Sequence, residues 1–224
     1  FGTAADSLLV TSALWHEYQR AAEALAELVV TTPSTLDALL PTAAKSGDDV
    51  AARTSAFVED FLPRAYRRPV TPAEVAAAVA LGARAAASDA TSEPFLLQVR
   101  WILAGVLQSA SFLYRLEGGE GAVVDGRSRL GPYELASKLS YSLWGTMPND
   151  ELRGYAASGR LSRPDTVTSI VKEMVATPSF DRTLVDFHDQ LFRIPAFSGV
   201  VRQSKLFPKF YPQFGADAQE DVRR

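Results

Sequence analysis

Apolar residues recur at steps of three and four along most of this chain, and a helix-start signal stands just ahead of several of these runs. Leu14, Tyr18, Ala21, Leu25 and Leu28 mark one face of a helix over residues 12–30, with Ser12 as N-cap and Glu17, Gln19, Arg20, Glu23 and Glu27 on the wet side. Pro33, Pro41 and Gly47 break the rhythm, so residues 31–47 read as a long loop with one turn at residues 36–40. A second helix starts at Asp48 or Asp49, whose carboxylates suit the positive end of a helix, and buries Val50, Thr54, Phe57, Phe61 and Ala65. Pro63 removes a backbone donor late in that pattern and predicts a kink or an early stop. Pro69 ends the segment.

Thr71-Pro72-Ala73-Glu74 is the clearest local signal. A Thr hydroxyl can accept from the N–H three residues on, Glu74 can reach back, and Pro72 sits where no donor is needed. The Ala-rich helix behind it runs to about residue 87. From Pro94 to Tyr114 apolar residues lie nearly all round, which predicts a buried central helix. Residues 117–129 are glycine-rich and polar and read as an exposed loop. Helices resume over residues 132–144, 149–157, 164–176 and 179–193. Ser162 with Asp165 forms a weaker capping box, and Val167, Ile170, Val171 and Met174 give an inner face. Beyond Ile194, prolines and aromatics predict irregular chain, with a last helix from Gly215.

Strand-like alternation is scarce. The expected fold is all-α, a bundle-like array of eight to nine helices with little or no sheet. Residues 1–47 form an N-terminal helix plus loop, 48–117 one helical subdomain, 118–131 a linker and 132–224 a second helical subdomain.

Composition narrows the function classes. The 224 residues carry 23 basic and 26 acidic side chains, a net charge of −3, with no basic stretch long enough to predict a nucleic-acid partner. No apolar run approaches the ~18–20 residues that cross a bilayer. The greasiest, residues 95–114, is cut by Gln98, Arg100, Gln108 and Ser109. With no Cys, the chain has no disulfide, no thiolate metal site and no covalent haem attachment of its own.

The usual carriers of chemistry are sparse. His16 and His188 are the only histidines, and no spacing offers His188 further metal ligands. Asp186 and Asp189 flank His188, but helix neighbours one and two positions apart point in different directions. Asp48-Asp49 and Asn149-Asp150-Glu151 are paired polar residues that helix starts already explain. Gly118-Gly119-Glu120-Gly121 is too short and too acidic to cradle a phosphate. Arg64, Arg67 and Arg68 are the candidate site: cations near a helix C-terminus, suited to a structural ion pair across helical units or to an anion. Tyr141, Trp144 and Tyr155 read as packing residues. Phe207, Phe210, Tyr211 and Phe214 could offer a sugar-binding surface.

Three stretches carry a family resemblance. Residues 61–71, Phe-Leu-Pro-Arg-Ala-Tyr-Arg-Arg-Pro-Val-Thr, and residues 111–117, Ser-Phe-Leu-Tyr-Arg-Leu-Glu, are similar to the opening and close of one domain type. Residues 133–144, Tyr-Glu-Leu-Ala-Ser-Lys-Leu-Ser-Tyr-Ser-Leu-Trp, with Met147-Pro148-Asn149-Asp150-Glu151-Leu152, are similar to a second. The chain thereby resembles large exported proteins of planctomycetes and myxobacteria assembled from domains of unknown function of the 1587, 1595 and 1592 types. Residues 1–26 resemble the tail of the first type. Pro63 replaces a usual Arg, Ala110 stands where Pro is common, and the Cys often seen ahead of the first motif is missing.

The resemblance implies a piece of a longer bacterial polypeptide and an extracytoplasmic location: periplasmic, outer-membrane-associated or secreted. It also implies a c-type haem module in some relatives, outside this region, and it brings no catalytic residues. The expectation is a non-catalytic structural or protein-interaction module with no cofactor of its own, its partners being other domains of the same polypeptide and other proteins. The alternatives are part of an exported enzyme or haem redox assembly whose reactive centre lies elsewhere, and a carbohydrate-binding surface.

Overall fold

Helix α1 (Ser12–Thr31) opens the fold, capped by Thr11, whose Oγ1 accepts from Leu14 N at 3.2 Å, rather than by Ser12. A computed structural model of the chain describes residues 10–89, 91–199 and 213–223. Among them lie twelve α-helices and one short hairpin, so the all-α class holds while the helix count exceeds the eight or nine predicted. The surplus is three short pieces. Helices α2 (Pro33–Leu39) and α3 (Thr42–Lys45) occupy the stretch predicted as a loop; Pro33 opens α2 where a missing N–H does no harm. The predicted helix over residues 94–114 divides into α6 (Pro94–Leu107) and α7 (Ala110–Leu113), because Ser109 turns the chain and its Oγ accepts from Phe112 N.

The inner face of α1 differs from the predicted stripe. Leu14, Leu25 and Leu28 are exposed, while Ala22 is buried and Ala26 packs into the first core beside Val29 and Val30. Alanine lets two helix axes approach closely, which the periodicity of large residues does not reveal. Helix α4 (Val50–Tyr66) begins at Asp49, which accepts from Ala52 N at 3.0 Å, and continues through Pro63 instead of stopping. The carbonyl that loses its partner belongs to Glu59, an exposed residue that water can serve. The stop comes at Arg67, whose backbone turns left-handed at φ 58°.

Helix α5 (Pro72–Ser88) carries the predicted capping box in full: Thr71 Oγ1 accepts from Glu74 N, and Thr71 N donates to Glu74 Oε2 at 2.7 Å. Helix α6 is the centre, packed by α1, α4 and α5. Phe95, Val99 and Ile102 are fully buried there against Phe57, Val58 and Leu62 of α4. At Gly82 of α5 a Cβ would lie 2.8 Å from Ile102 Cδ1, so glycine sets that approach. Inside the core, Thr54 Oγ1 donates to Gln98 Oε1 at 2.9 Å and ties α4 to α6.

The predicted linker contains strands β1 (Glu120–Val124) and β2 (Arg127–Arg129), paired antiparallel with Glu120 opposite Arg129 and Val124 opposite Arg127. Asp125-Gly126, both at positive φ, makes the turn between them. A second core follows, from α8 (Pro132–Trp144), α9 (Asp150–Ala157), a 3-10 turn (Arg160–Ser162) and α10 (Pro164–Val175). Ala136, Leu152, Ala156, Leu161, Ile170 and Met174 fill it. Ser162 does not cap α10: it ends the 3-10 turn, and its carbonyl accepts from the Arg129 guanidinium at 2.7 Å.

Helix α11 (Pro178–Leu191) lies along α8, where Trp144 Nε1 donates to Thr177 Oγ1 at 2.9 Å. A 3-10 segment (Ile194–Gly199) and α12 (Phe214–Arg223) close the described chain, joined by Gln219 Nε2 donating to Ile194 O. Phe207, Phe210 and Tyr211 lie outside the described residues. Among the described residues no helix is long and apolar enough to cross a membrane.

Candidate functional site

The three predicted arginines sit where α4 ends, and the left-handed turn at Arg67 sends them to different partners. Arg64 pairs with Asp60 one turn back on its own helix and donates to Leu39 O at 3.2 Å. Arg68 grips Glu74 with both terminal nitrogens, at 2.7 and 3.2 Å, joining the end of α4 to the start of α5. The Arg68 guanidinium, helped by the Thr71 N–H, holds the Glu74 carboxyl down to about 2. The same bond raises the pKa of Arg68.

Among the described residues Arg67 has no carboxylate partner. It is 6% exposed, and its guanidinium donates to Ala65 O, Ser111 O, Phe112 O and Tyr114 O at 2.7–3.2 Å. The carbonyls at the end of a short helix have no partners within it, and a planar fork of donors can serve several at once. Arg67 fastens the end of α4 to the chain leaving α7.

Across from these arginines stands the start of α8. Glu134 accepts from Gly131 N at 2.9 Å and from Gly118 N at 2.9 Å, and both its oxygens lie 3.2–3.3 Å from Gly119 N. The glycine segment therefore does cradle an anion, but one supplied by the chain itself. Gly131 has no side chain to return the bond, so only half of a capping box forms. Lys138 pairs with Glu117 at 2.7 Å, and the Arg115 guanidinium lies 4.6 Å from the centroid of the Tyr141 ring. Arg67, Arg68, Arg115 and Glu134 line a cleft of about 470 Å³ between the two cores, walled also by Tyr66, Tyr114 and Tyr133 among others. Residues of all three resembled stretches meet there. The importance of Glu134 was legible in part, as the acid three residues past Gly131; that of Arg115 had no signal beyond its motif.

The remaining candidates stay apart. His16 Nδ1 is 2.6 Å from Ser12 O, and His188 Nδ1 is 2.8 Å from Leu184 O, each one turn back on its own helix. The His188 ring stacks on Phe192 and meets the edge of Phe187. Asn149 caps α9 by accepting from Leu152 N, Asp150 pairs with Arg153, and Glu151 accepts from the Tyr155 hydroxyl. Among the described residues no group of three or more metal-binding side chains comes together.

Residues 53–117 match the family model PSD5, protein of unknown function (DUF1595), and residues 130–224 match PSD4, protein of unknown function (DUF1592). Neither match reaches residues 1–52, where the likeness to the 1587 type lies. No curated protein and no solved structure matches the chain.

Proposed function

We propose that this chain, which belongs to the proteins of unknown function that carry a PSD5 and a PSD4 domain in succession, is a non-catalytic helical module for structure and protein interaction within a larger exported protein. One observation carries the reading. Helix α11 buries no residue completely, yet it presents Leu184 at 43% and Leu191 at 45% exposure, with Phe192 at 54% just beyond its end. Adjoining apolar side chains left in water mark a surface that another protein covers. The motif residues support the same view, because Arg67, Arg68, Glu134 and Trp144 all have partners that join one segment of this chain to another.

The occupant that fits is a neighbouring domain of the same polypeptide. Hydroxyl-radical footprinting of the full-length protein, compared with residues 1–224 alone, tests this. Leu184, Leu191 and Phe192 are expected to be labelled in the isolated chain and protected in the longer one. Equal labelling in both overturns the reading.

A further inference from the structure

The chain crosses from the first core to the second between two clamps. On one side, Arg67 donates to Ser111 O, Phe112 O and Tyr114 O, and Tyr114 N donates to Ala110 O at 3.0 Å. The chain therefore belongs to the first core as far as Tyr114. On the other side, Glu117 pairs with Lys138 of α8, and Gly118 N donates to Glu134 of the same helix. The hairpin follows, and Arg129 at its end is tied to Ser162 O of the second core. Between the clamps lie Arg115 and Leu116. Among the described residues no backbone hydrogen bond holds either of them, and Leu116 is 68% exposed.

Little else resists a turn at these two residues. Among the described residues no helix of the first core packs broadly on a helix of the second. The Arg115 guanidinium rests 4.6 Å from the centroid of the Tyr141 ring, a contact at an exposed residue that water can replace. Two cores joined by a short free segment, without a large apolar interface, move relative to one another. We propose that Arg115 and Leu116 are the hinge about which the PSD5 and PSD4 domains swing, held by Arg67 on one side and by Glu134 and Lys138 on the other. The swing opens and closes the cleft, whose walls come from Tyr66, Arg67 and Arg68 at the end of α4 and from Tyr133 and Glu134 at the start of α8. It also carries α11, which lies along α8, and so sets where Leu184 and Leu191 face relative to the first core. The hinge goes beyond the docking role argued for α11 and does not rest on it, so the failure of either test leaves the other standing.

The chain has no Cys, so a pair of introduced thiols takes spin labels cleanly. Ala77→Cys in α5 and Lys172→Cys in α10, both exposed, report the distance between the domains by double electron–electron resonance. Ala51→Cys with Ala77→Cys, both in the first core, gives the width of a rigid pair. The distribution between domains is expected to be about twofold broader than the rigid pair. Arg115→Pro should narrow it about twofold by fixing one hinge dihedral. Tyr114 already lies at φ −103°, ψ 145°, where a following proline is accepted, and no hydrogen bond from Arg115 N is lost. Glu134→Ala with Lys138→Ala releases the far clamp and frees residues 115–119. The distribution should then widen roughly 1.6-fold, as the square root of the free length. Hydrogen exchange over residues 132–175 checks that α8 survives this double substitution, and the Arg115→Pro comparison stands without it. A distribution between domains as narrow as the rigid pair overturns the proposal. So does an Arg115→Pro distribution as broad as the native one.

Discussion

The two cores are built on opposite plans. The first surrounds α6 with helices on several sides and fully buries Phe57, Phe95, Leu62, Ile102, Val58 and Val99. The second has Leu152 as its one large side chain buried to the same degree, and otherwise relies on Ala136, Ala156, Leu161, Ile170 and Met174. Its outer helix α11 leaves Leu184 and Leu191 in water. Burial of apolar area is the main favourable term in folding, about 25 cal/mol per Å², so the first core is the more self-sufficient unit. The helices of one core scarcely pack on those of the other; polar groups join the chain after α7 to α8, Gly118 N to Glu134 and Glu117 to Lys138. The first region also leaves Leu25 and Leu28 of α1 in water, so the two differ in how many large side chains they bury inside and not in whether an outer helix stays exposed.

Cavity mutations probe that contrast with the largest expected effect. Phe95→Ala removes a ring that is 0% exposed and should destabilise the first core by about 3–5 kcal/mol. Ile170→Ala, at 4% exposure in the thinner core, should cost about 2–3 kcal/mol. Urea unfolding followed by hydrogen exchange separates the two regions. Phe95→Ala is expected to lower protection over residues 50–107 far more than over residues 132–175, and Ile170→Ala to do the reverse. Equal loss in both regions from either variant would mean a single cooperative unit and break the comparison.

The boundary between the regions is the next place to press. Arg67→Ala strips donors from four carbonyls and leaves a non-glycine residue in a left-handed turn without the bonds that hold it there. Bonds from a charged donor contribute roughly 1.5–3 kcal/mol each and are not additive, so a total loss of about 2–4 kcal/mol is expected. Arg67→Lys should recover little of it, since an ammonium cannot span the same carbonyls. Arg64→Ala, which removes a partly exposed pair within one helix, should change stability by less than about 1 kcal/mol. Thermal melts of the three variants read this order directly, and an Arg64→Ala loss matching that of Arg67→Ala would overturn it.

How much of this was legible depended on whether the cause was local. The Thr71 capping box, the Asp49 and Asn149 caps and the buried run over residues 95–106 are written in neighbouring residues, and the fold keeps them. The buried face of α1 was not legible, because a small residue such as Ala26 matters only through the closeness of the first core. The early stop offered for Pro63 did not occur, because the Glu59 carbonyl it frees belongs to an exposed residue that water can serve. The arginine cluster was found, but not its division of labour. The left-handed turn at Arg67 points three neighbouring guanidinium groups at Asp60, at the carbonyls after α7 and at Glu74, partners up to 47 residues away in the chain. The cleft itself needs residues of both domains, and its cation Arg115 has no local pattern around it.

The smallest effect sharpens the same contrast by pH. Among the described residues, the carboxyls pushed below their ordinary range are Glu74, by Arg68 and the Thr71 N–H, and Asp89, by the hydroxyls of Ser92 and Thr91. Both belong to the first region. Glu74 falls from 4.5 to about 2, so the folded state prefers its charged form. The stability this adds is complete above pH 4.5 and is lost as the pH drops towards 2. Solvent screening at this partly exposed pair keeps the contribution below about 1 kcal/mol. Glu74→Gln removes the titrating group while keeping its shape. At neutral pH the native chain should therefore melt slightly higher than the variant, and the gap should close as acid protonates Glu74. The second region, followed by exchange over residues 132–175, should not register the substitution at either pH. A gap that persists unchanged down to about pH 2 would trace the effect to the neutral capping bonds of Thr71 rather than to the Arg68 pair.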